Sequence, residues 1–169
     1  IVGNGMENGY TPADYTGPAY GKGMYEPMDV VIAPCGKYVF FLDTDSHLVR
    51  MIDNNGIMKT IAGVYEAGSA GAYSTGDGNP LQARFSVPQG IAIDQNGNLY
   101  IADTNNNVIR KISLKQNTIT TIAGQPGIGG FSGDGGQAKA ATLNKPMGLA
   151  IDSSGNLLVA DVFNHRIRK

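Results

Sequence analysis

The fold of this chain is decided by a stretch that occurs twice. Residues 88–110 read PQGIAIDQNGNLYIADTNNNVIR, and residues 146–168 read PMGLAIDSSGNLLVADVFNHRIR. A third, more divergent copy begins at Pro27. A long repeat made of short apolar runs separated by turns predicts a modular β architecture in which each copy forms one unit.

Each copy contains several apolar runs of about five residues, which is a common length for a strand and too short for a stable helix. Four such runs in a row predict a four-stranded antiparallel meander, and the third copy lacks the fourth run. The predicted strands are 29–33, 38–42, 48–52 and 57–62; 90–94, 98–102, 108–112 and 118–123; and 148–152, 157–160 and 166–168.

Long glycine-rich links, residues 4–26, 64–87 and 125–145, precede the three copies. The second and third links contain the triplets Gly76-Asp77-Gly78 and Gly133-Asp134-Gly135, which we expect to form tight turns. Loops longer than about 15 residues are uncommon in compact domains and are often functional. We therefore expect partner specificity to lie in the links.

Composition argues against several classes of partner. Lys and Arg number 13 and Asp and Glu number 14, so the net charge is −1 and no basic block suggests nucleic acid or an anionic membrane. No apolar run approaches the roughly 20 residues that span a bilayer. Cys35 is the only cysteine and cannot form an internal disulfide. We expect it to be a small buried residue rather than a reactive thiol.

The repeated residues resemble the NHL-repeat family over almost the whole chain. Asn164-His165-Arg166 and Ser46-His47-Leu48 stand where the tripeptide that names the family lies, and Asn106-Asn107-Val108 is a common variant. The resemblance implies that each repeat is one blade of a β-propeller, usually of six blades, and that the protein is a binding scaffold. The Gly-Asp-Gly links resemble the longer repeats of bacterial and cell-surface proteins.

We therefore predict an all-β chain, a single propeller segment over residues 1–169, with blades at 27–63, 88–124 and 146–169. Three blades are fewer than the four to eight that usually close a ring, which suggests a larger ring or a multi-chain assembly. Ile1-Val2-Gly3 is similar to Ile61-Ala62-Gly63, which closes the first blade. It is a candidate strand for completing blade 146–169 of another copy or of the same closed ring.

An Asp and an Arg seven residues apart occur in all three copies, as Asp43 with Arg50, Asp103 with Arg110, and Asp161 with Arg168. One interpretation is a ring of polar groups at the central pore. The other is that each Asp stabilises a turn, through the backbone or through the Arg. Repetition favours the structural interpretation, because a catalytic site needs dissimilar groups at one place.

Metal binding is the other candidate chemistry. The resemblance implies that His47 and His165 could lie near the axis, where related amidating lyases bind a metal, but Asn107 occupies the same position in the copy between them. A zinc site of three or four protein ligands is not evident. Asp43-Thr44-Asp45 and the Gly-Asp-Gly triplets lack the six to eight oxygens that calcium takes. We predict no catalytic, cofactor-binding or metal-binding residue.

The sequence thus favours a non-catalytic scaffold that binds a protein partner or associates with itself, located outside the cell or on its surface. It does not identify a small-molecule ligand. Two alternatives remain open: a fragment of a metal-dependent propeller enzyme of the amidating lyase or lactonase type, and an RNA-binding NHL propeller. RNA binding predicts a steep salt dependence of association.

Overall fold

The computed structural model describes residue 3, residues 11–65 and residues 77–169, and these ranges contain only strands, turns and short 3-10 helices. The strands form three separate antiparallel sheets, as the sequence predicts. They are β1 Thr16–Pro18, β2 Pro27–Ile32, β3 Tyr38–Asp43, β4 Leu48–Asp53, β5 Ile57–Ala62, β6 Gly90–Ile93, β7 Asn98–Asp103, β8 Val108–Ser113, β9 Thr118–Ala123, β10 Pro146–Ile151, β11 Leu157–Asp161 and β12 Arg166–Arg168.

Each sheet is one blade of a propeller-type fold. Blade 1 has the strand order β1-β5-β4-β3-β2, blade 2 has the order β6-β7-β8-β9, and blade 3 has the order β10-β11-β12. Strand β1 lies in the first link, where we predicted a loop, and pairs antiparallel with β5. Its three residues include Gly17 and Pro18 and are too few to show a strand period.

Neighbouring blades pack face to face, so both sides of the middle blade are covered. On one side Leu99 and Ile101 of β7 join Phe40 and Leu42 of blade 1 in a buried cluster. On the other side Ala102 belongs to a cluster with residues of blade 3. Alternation of apolar and polar residues is therefore weak in β7, because a strand covered on both faces needs apolar residues on both.

Two sequence-based expectations, on Cys35 and on the N-terminal strand, are not confirmed by the structure. Cys35 is exposed, so the prediction that it is buried is wrong. It lies in the turn between β2 and β3, which Gly36 N closes by donating to Ala33 O at 2.8 Å, and residues 34–37 of this turn are exposed. The proposed strand Ile1-Val2-Gly3 is outside the described residues except for Gly3, which forms a bridge with Tyr20.

Candidate functional site at the blade junctions and links

The repeated aspartates lie at the ends of β3, β7 and β11 and are at most 1% exposed. One carboxylate oxygen of each accepts a backbone N–H from the link just before its own blade. The donors are Tyr25 for Asp43 at 2.8 Å, Ser86 for Asp103 at 2.8 Å, and Asn144 for Asp161 at 2.7 Å. Each aspartate therefore fixes the point at which a link enters its blade.

The second carboxylate oxygen faces the arginine seven residues later. The nitrogen–oxygen distance is 3.1 Å from Arg50 to Asp43, 3.8 Å from Arg110 to Asp103, and 3.5 Å from Arg168 to Asp161. Such charges are stabilised inside a protein only when they are paired and hydrogen-bonded. The structure thus brings together all three predicted Asp–Arg pairs.

The arginines also bind the backbone of the links. Arg50 donates to Thr11 O at 2.6 Å and to Pro12 O at 2.9 Å. Arg168 donates to Ser132 O and to Thr142 O, both at 2.8 Å. The Asp–Arg pairs consequently brace the links from inside the blades.

Burial raises the pKa of Asp103 to about 6, although hydrogen bonds from Asn106 and Ser86 and the charge of Arg110 act in the opposite direction. The carboxylate is therefore ionised at neutral pH. Because this pKa lies above the unfolded value of about 3.9, protonation of Asp103 stabilises the folded state, and this stabilisation is complete below a pH of about 3.9. That contribution is lost as the pH rises through about 6.

A second set of repeated side chains joins each blade to the next. Thr44 at the end of β3 donates its hydroxyl proton to Pro88 O of blade 2 at 2.8 Å. Thr104 repeats this contact with Pro146 O of blade 3 at 2.7 Å. The prolines that open the second and third repeats therefore mark the points where these hydroxyls bind.

The middle residue of each NHL-type tripeptide completes the junction. His47 Nδ1 accepts the N–H of Val87 at 3.2 Å, and Asn107 Oδ1 accepts the N–H of Lys145 at 2.9 Å. All four residues are in the left-handed region, with φ between 50° and 58°. We call the contacts of Thr44 and His47, and of Thr104 and Asn107, the blade latch.

The blade latch explains why His and Asn alternate at this position, since either can accept one N–H. His165 has the same left-handed conformation, with φ of 54°, in the turn between β11 and β12. Among the described residues, no group of three or more His, Cys, Asp and Glu side chains is placed to share a metal ion. The latch was not predicted from the sequence, because its partners are 38 to 44 residues apart.

Asp77 and Gly78 of the second link hold the outer strand of blade 2, and Gly76, the first residue of the predicted turn, lies outside the described residues. Asp77 Oδ1 accepts the N–H of Thr121 at 2.8 Å and lies 3.6 Å from Arg110 Nη2. Gly78 and Ile119 exchange two backbone hydrogen bonds, at 2.8 and 2.9 Å. We call this arrangement the strand clamp, and sequence reasoning missed it.

In blade 1 the outer strand β5 is also paired with its link, but through the three-residue strand β1, in which Gly17 faces Met58. In the third link the predicted tight turn is present, since Gly136 N donates to Gly133 O at 3.0 Å. The only sequence signal for the clamp was the alignment of Thr16-Gly17 with Asp77-Gly78 in the two links. It was missed because a pairing through backbone hydrogen bonds requires no apolar pattern in the link.

The third link also exposes apolar and basic side chains together. The Arg166 guanidinium lies 3.7 Å from the centre of the Phe131 ring, and Arg168 lies 5.3 Å from it. Phe131 is 45% exposed, Phe163 60% and Ile128 53%. The third link, one of the three predicted to carry specificity, therefore forms a mixed aromatic and cationic surface together with blade 3.

No helix in the described part of the chain has the length and apolar character that crossing a bilayer would require.

Comparison with known proteins agrees with the geometry. The model of the family described as NHL repeat matches residues 85–112 and 143–169. The chain is 31% identical over 172 residues to the Arabidopsis thaliana protein SUPPRESSOR OF QUENCHING 1, chloroplastic, with 98% of this chain and 15% of that protein covered. It is 31% identical over 152 residues to NHL repeat-containing protein 2 of Bos taurus, with 86% of this chain and 21% of that protein covered.

Among solved structures, the chain is similar to a protein of unknown function from Bacteroides thetaiotaomicron, with a TM-score of 0.71 and 24% identity. The match covers 83% of this chain and 34% of the other. At this identity the likeness shows the fold alone. The chain spans only 15% and 21% of the length of the two curated relatives.

Proposed function

Because this chain belongs to the NHL-repeat family, we propose that it is a non-catalytic scaffold that binds a protein partner or further copies of itself. The observation that carries the proposal is that the repeated polar side chains bind other parts of this chain. Asp103 and Arg110 brace a link, and Thr44, His47 and Asn107 join blades. These groups hold the architecture together, so we assign contact with a partner to the exposed side chains of the links.

The exposed surface of the third link supports a protein partner. Aromatic and arginine side chains are enriched in protein–protein contacts and supply much of their binding energy. Phe131, Phe163 and Arg166 provide both types on one blade. The net charge of −1 does not favour RNA. A location outside the cell or on its surface belongs to the same proposal.

Metal analysis with a parallel association assay tests this function. We expect zinc and calcium to be bound at well below one ion per chain after dialysis against each metal. Treatment with a chelator should leave the sedimentation profile unchanged. His47→Asn is the control variant. It removes a possible metal ligand but keeps a hydrogen-bond acceptor, because Asn107 accepts the equivalent N–H in the next blade.

One tightly bound ion per chain, lost in a His165→Ala variant, would contradict the scaffold and support the metal-dependent enzyme. An association with RNA that weakens steeply with salt would support the RNA-binding alternative. Neither result is expected from a surface whose repeated polar groups already bind the protein's own backbone.

A further inference from the structure

The junction between blades 1 and 2 is closed by a histidine that accepts a hydrogen bond. His47 Nδ1 accepts the N–H of Val87 at 3.2 Å, and His47 is only 9% exposed. A ring nitrogen accepts a hydrogen bond only while it carries no proton, so the closed junction requires a neutral imidazole with its proton on Nε2. Because the ring is buried, losing this hydrogen bond is costly.

The next junction has the same geometry but a different acceptor. Asn107 Oδ1 accepts the N–H of Lys145 at 2.9 Å, and His47 and Asn107 share a φ of 58°. An amide oxygen accepts at every pH between about 5 and about 8, the range in which an ordinary imidazole gains its second proton. The chain therefore contains two versions of one junction, and only the first contains a group that titrates in this range.

The backbone that each acceptor holds is in an unfavourable conformation. Val87 and Lys145 are left-handed, with φ of 50° and 52°, and each comes directly before a proline. This conformation is rare for a β-branched residue such as Val87, and a residue before proline prefers extended backbone. Such backbone persists only where surrounding contacts hold it. Val87 is therefore ready to leave the left-handed region once the His47 contact is lost.

Other charged groups lie on the elements that form this junction. Asp103, at the end of β7, accepts the N–H of Ser86 at 2.8 Å and so binds the residue next to Val87. The titratable and charged groups on the β3–β4 turn, the second link and blade 2 near the junction are Asp43, Asp45, Tyr65, Arg84, Asp103 and Arg110. All of them are unchanged in a His47→Asn protein, so this variant isolates the imidazole.

We propose that protonation of His47 in mildly acidic solution opens the junction between blades 1 and 2, while the junction between blades 2 and 3 stays closed. The proton comes from solvent and binds Nδ1, which changes from an acceptor into a donor facing the N–H of Val87. Val87 then returns to extended backbone. Opening takes up one proton, so the closed junction is favoured at high pH and is lost as the pH falls.

The opening is local, because apolar packing still holds the two blades together. Phe40 and Leu42 of blade 1 remain in one cluster with Leu99 and Ile101 of blade 2. The contact that loosens with His47 is the neighbouring one, in which Thr44 donates to Pro88 O at 2.8 Å. Protonation of a histidine at a packed interface is a general way for a protein to respond to acid. The response requires no partner and can be measured on the chain alone.

Amide hydrogen exchange of the 169-residue chain, followed by NMR between about pH 7.5 and about pH 5, tests the proposal. Each rate is compared with the rate of an unstructured peptide at the same pH, which removes the intrinsic pH dependence of exchange. The protection of Val87 should fall about tenfold or more across this range, because opening takes up one proton. The protection of Lys145 should change by less than about twofold, because its acceptor is an amide.

His47→Asn is the matched variant, since it places the acceptor of the second junction in the first. Its Val87 protection should not depend on pH. Acid-dependent loss of protection in this variant would assign the response to another group and overturn the proposal. In the wild type, constant protection of Val87, or an equal loss at Val87 and Lys145, would also overturn it.

A nitrogen NMR spectrum of the imidazoles supplies a second measurement, which does not depend on the folding of a variant. At neutral pH His47 should be the tautomer with its proton on Nε2, because Nδ1 accepts the N–H of Val87. Acid should convert it to the doubly protonated ring as the protection of Val87 falls. A proton on Nδ1 at neutral pH would overturn the proposal.

Discussion

At the scale of single residues, two of the three repeated aspartates accept a hydrogen bond from an asparagine three residues later. Asn106 donates to Asp103 Oδ2 at 2.9 Å, and Asn164 donates to Asp161 Oδ2 at 2.8 Å. Asn164 also donates to Gly130 O at 2.7 Å, so it links the aspartate to the third link. In blade 1 the equivalent residue is Ser46, whose buried hydroxyl has no partner among the described residues.

We predict that Ser46→Asn stabilises the protein by about 1 kcal/mol, the usual contribution of one additional hydrogen bond. The longer amide should reach Asp43, as Asn106 reaches Asp103. Urea unfolding monitored by circular dichroism gives the free energy of unfolding. Ser46→Ala serves as the control and should differ little from the wild type. A Ser46→Asn protein less stable than Ser46→Ala would show that blade 1 cannot accommodate the amide.

At the scale of secondary-structure elements, the end of each outer strand depends on a glycine for two reasons. Gly124 has φ of 87° and lies against Asn107 O. Gly97, in the turn between β6 and β7, has φ of 80° but open space around it. The two positions separate backbone conformation from close approach.

Gly97→Ala should therefore cost about 1 kcal/mol, the price of a left-handed conformation for an L-residue. Gly124→Ala should cost more than about 2 kcal/mol, because the carbonyl of Asn107 must also move. Chemical unfolding of both variants measures the difference. Equal losses in the two variants would mean that the strand end relaxes freely around the carbonyl of Asn107.

The turn between β6 and β7 is organised by another carboxylate. Asp94 Oδ1 accepts N–H groups from Asn96 at 2.9 Å and Asn98 at 2.8 Å. Burial acts to raise its pKa, but hydrogen bonds from Asn98, Tyr100 and Asn96 outweigh burial, so the pKa is lowered. A lowered pKa gives stability that is present above the unfolded value of about 3.9 and is lost as the pH falls through the folded value.

We expect Asp94→Asn to reduce the acid sensitivity of the protein. Its free energy of unfolding should fall less than that of the wild type when the pH is lowered from about 5 to about 2. Gln95→Ala, an exposed change in the same turn, is the control and should follow the wild-type curve. Parallel curves for wild type and Asp94→Asn would assign the acid response to other groups.

Strand positions were largely predictable, because apolar runs such as Leu99 to Ala102 are bounded by turn residues such as Gly97 and Asn98. The Asp–Arg pairs were also predictable, since both members lie in one repeat. The blade latch and the strand clamp were not. His47 meets Val87, and Asp77 meets Thr121, only after blades and links pack together, so the sequence carries no local pattern for either.

At the scale of the whole molecule, the three blades are joined by apolar packing and by the blade latch. Phe40 and Leu42 of blade 1 pack with Leu99 and Ile101 of blade 2, so neither sheet covers its apolar faces alone. In repeat architectures, contacts between neighbouring units carry much of the stability. We infer that the latch residues couple the blades.

Hydrogen exchange at Val87 and Lys145 tests this central claim most directly, since each amide has a side-chain acceptor in the preceding blade. Both amides should exchange as slowly as those of the core strands. His47→Ala should accelerate exchange at Val87 and spare Lys145, whereas His47→Asn should retain protection at both. Exchange of Val87 at the rate of an unstructured peptide in the wild type, or no change in His47→Ala, would contradict the latch.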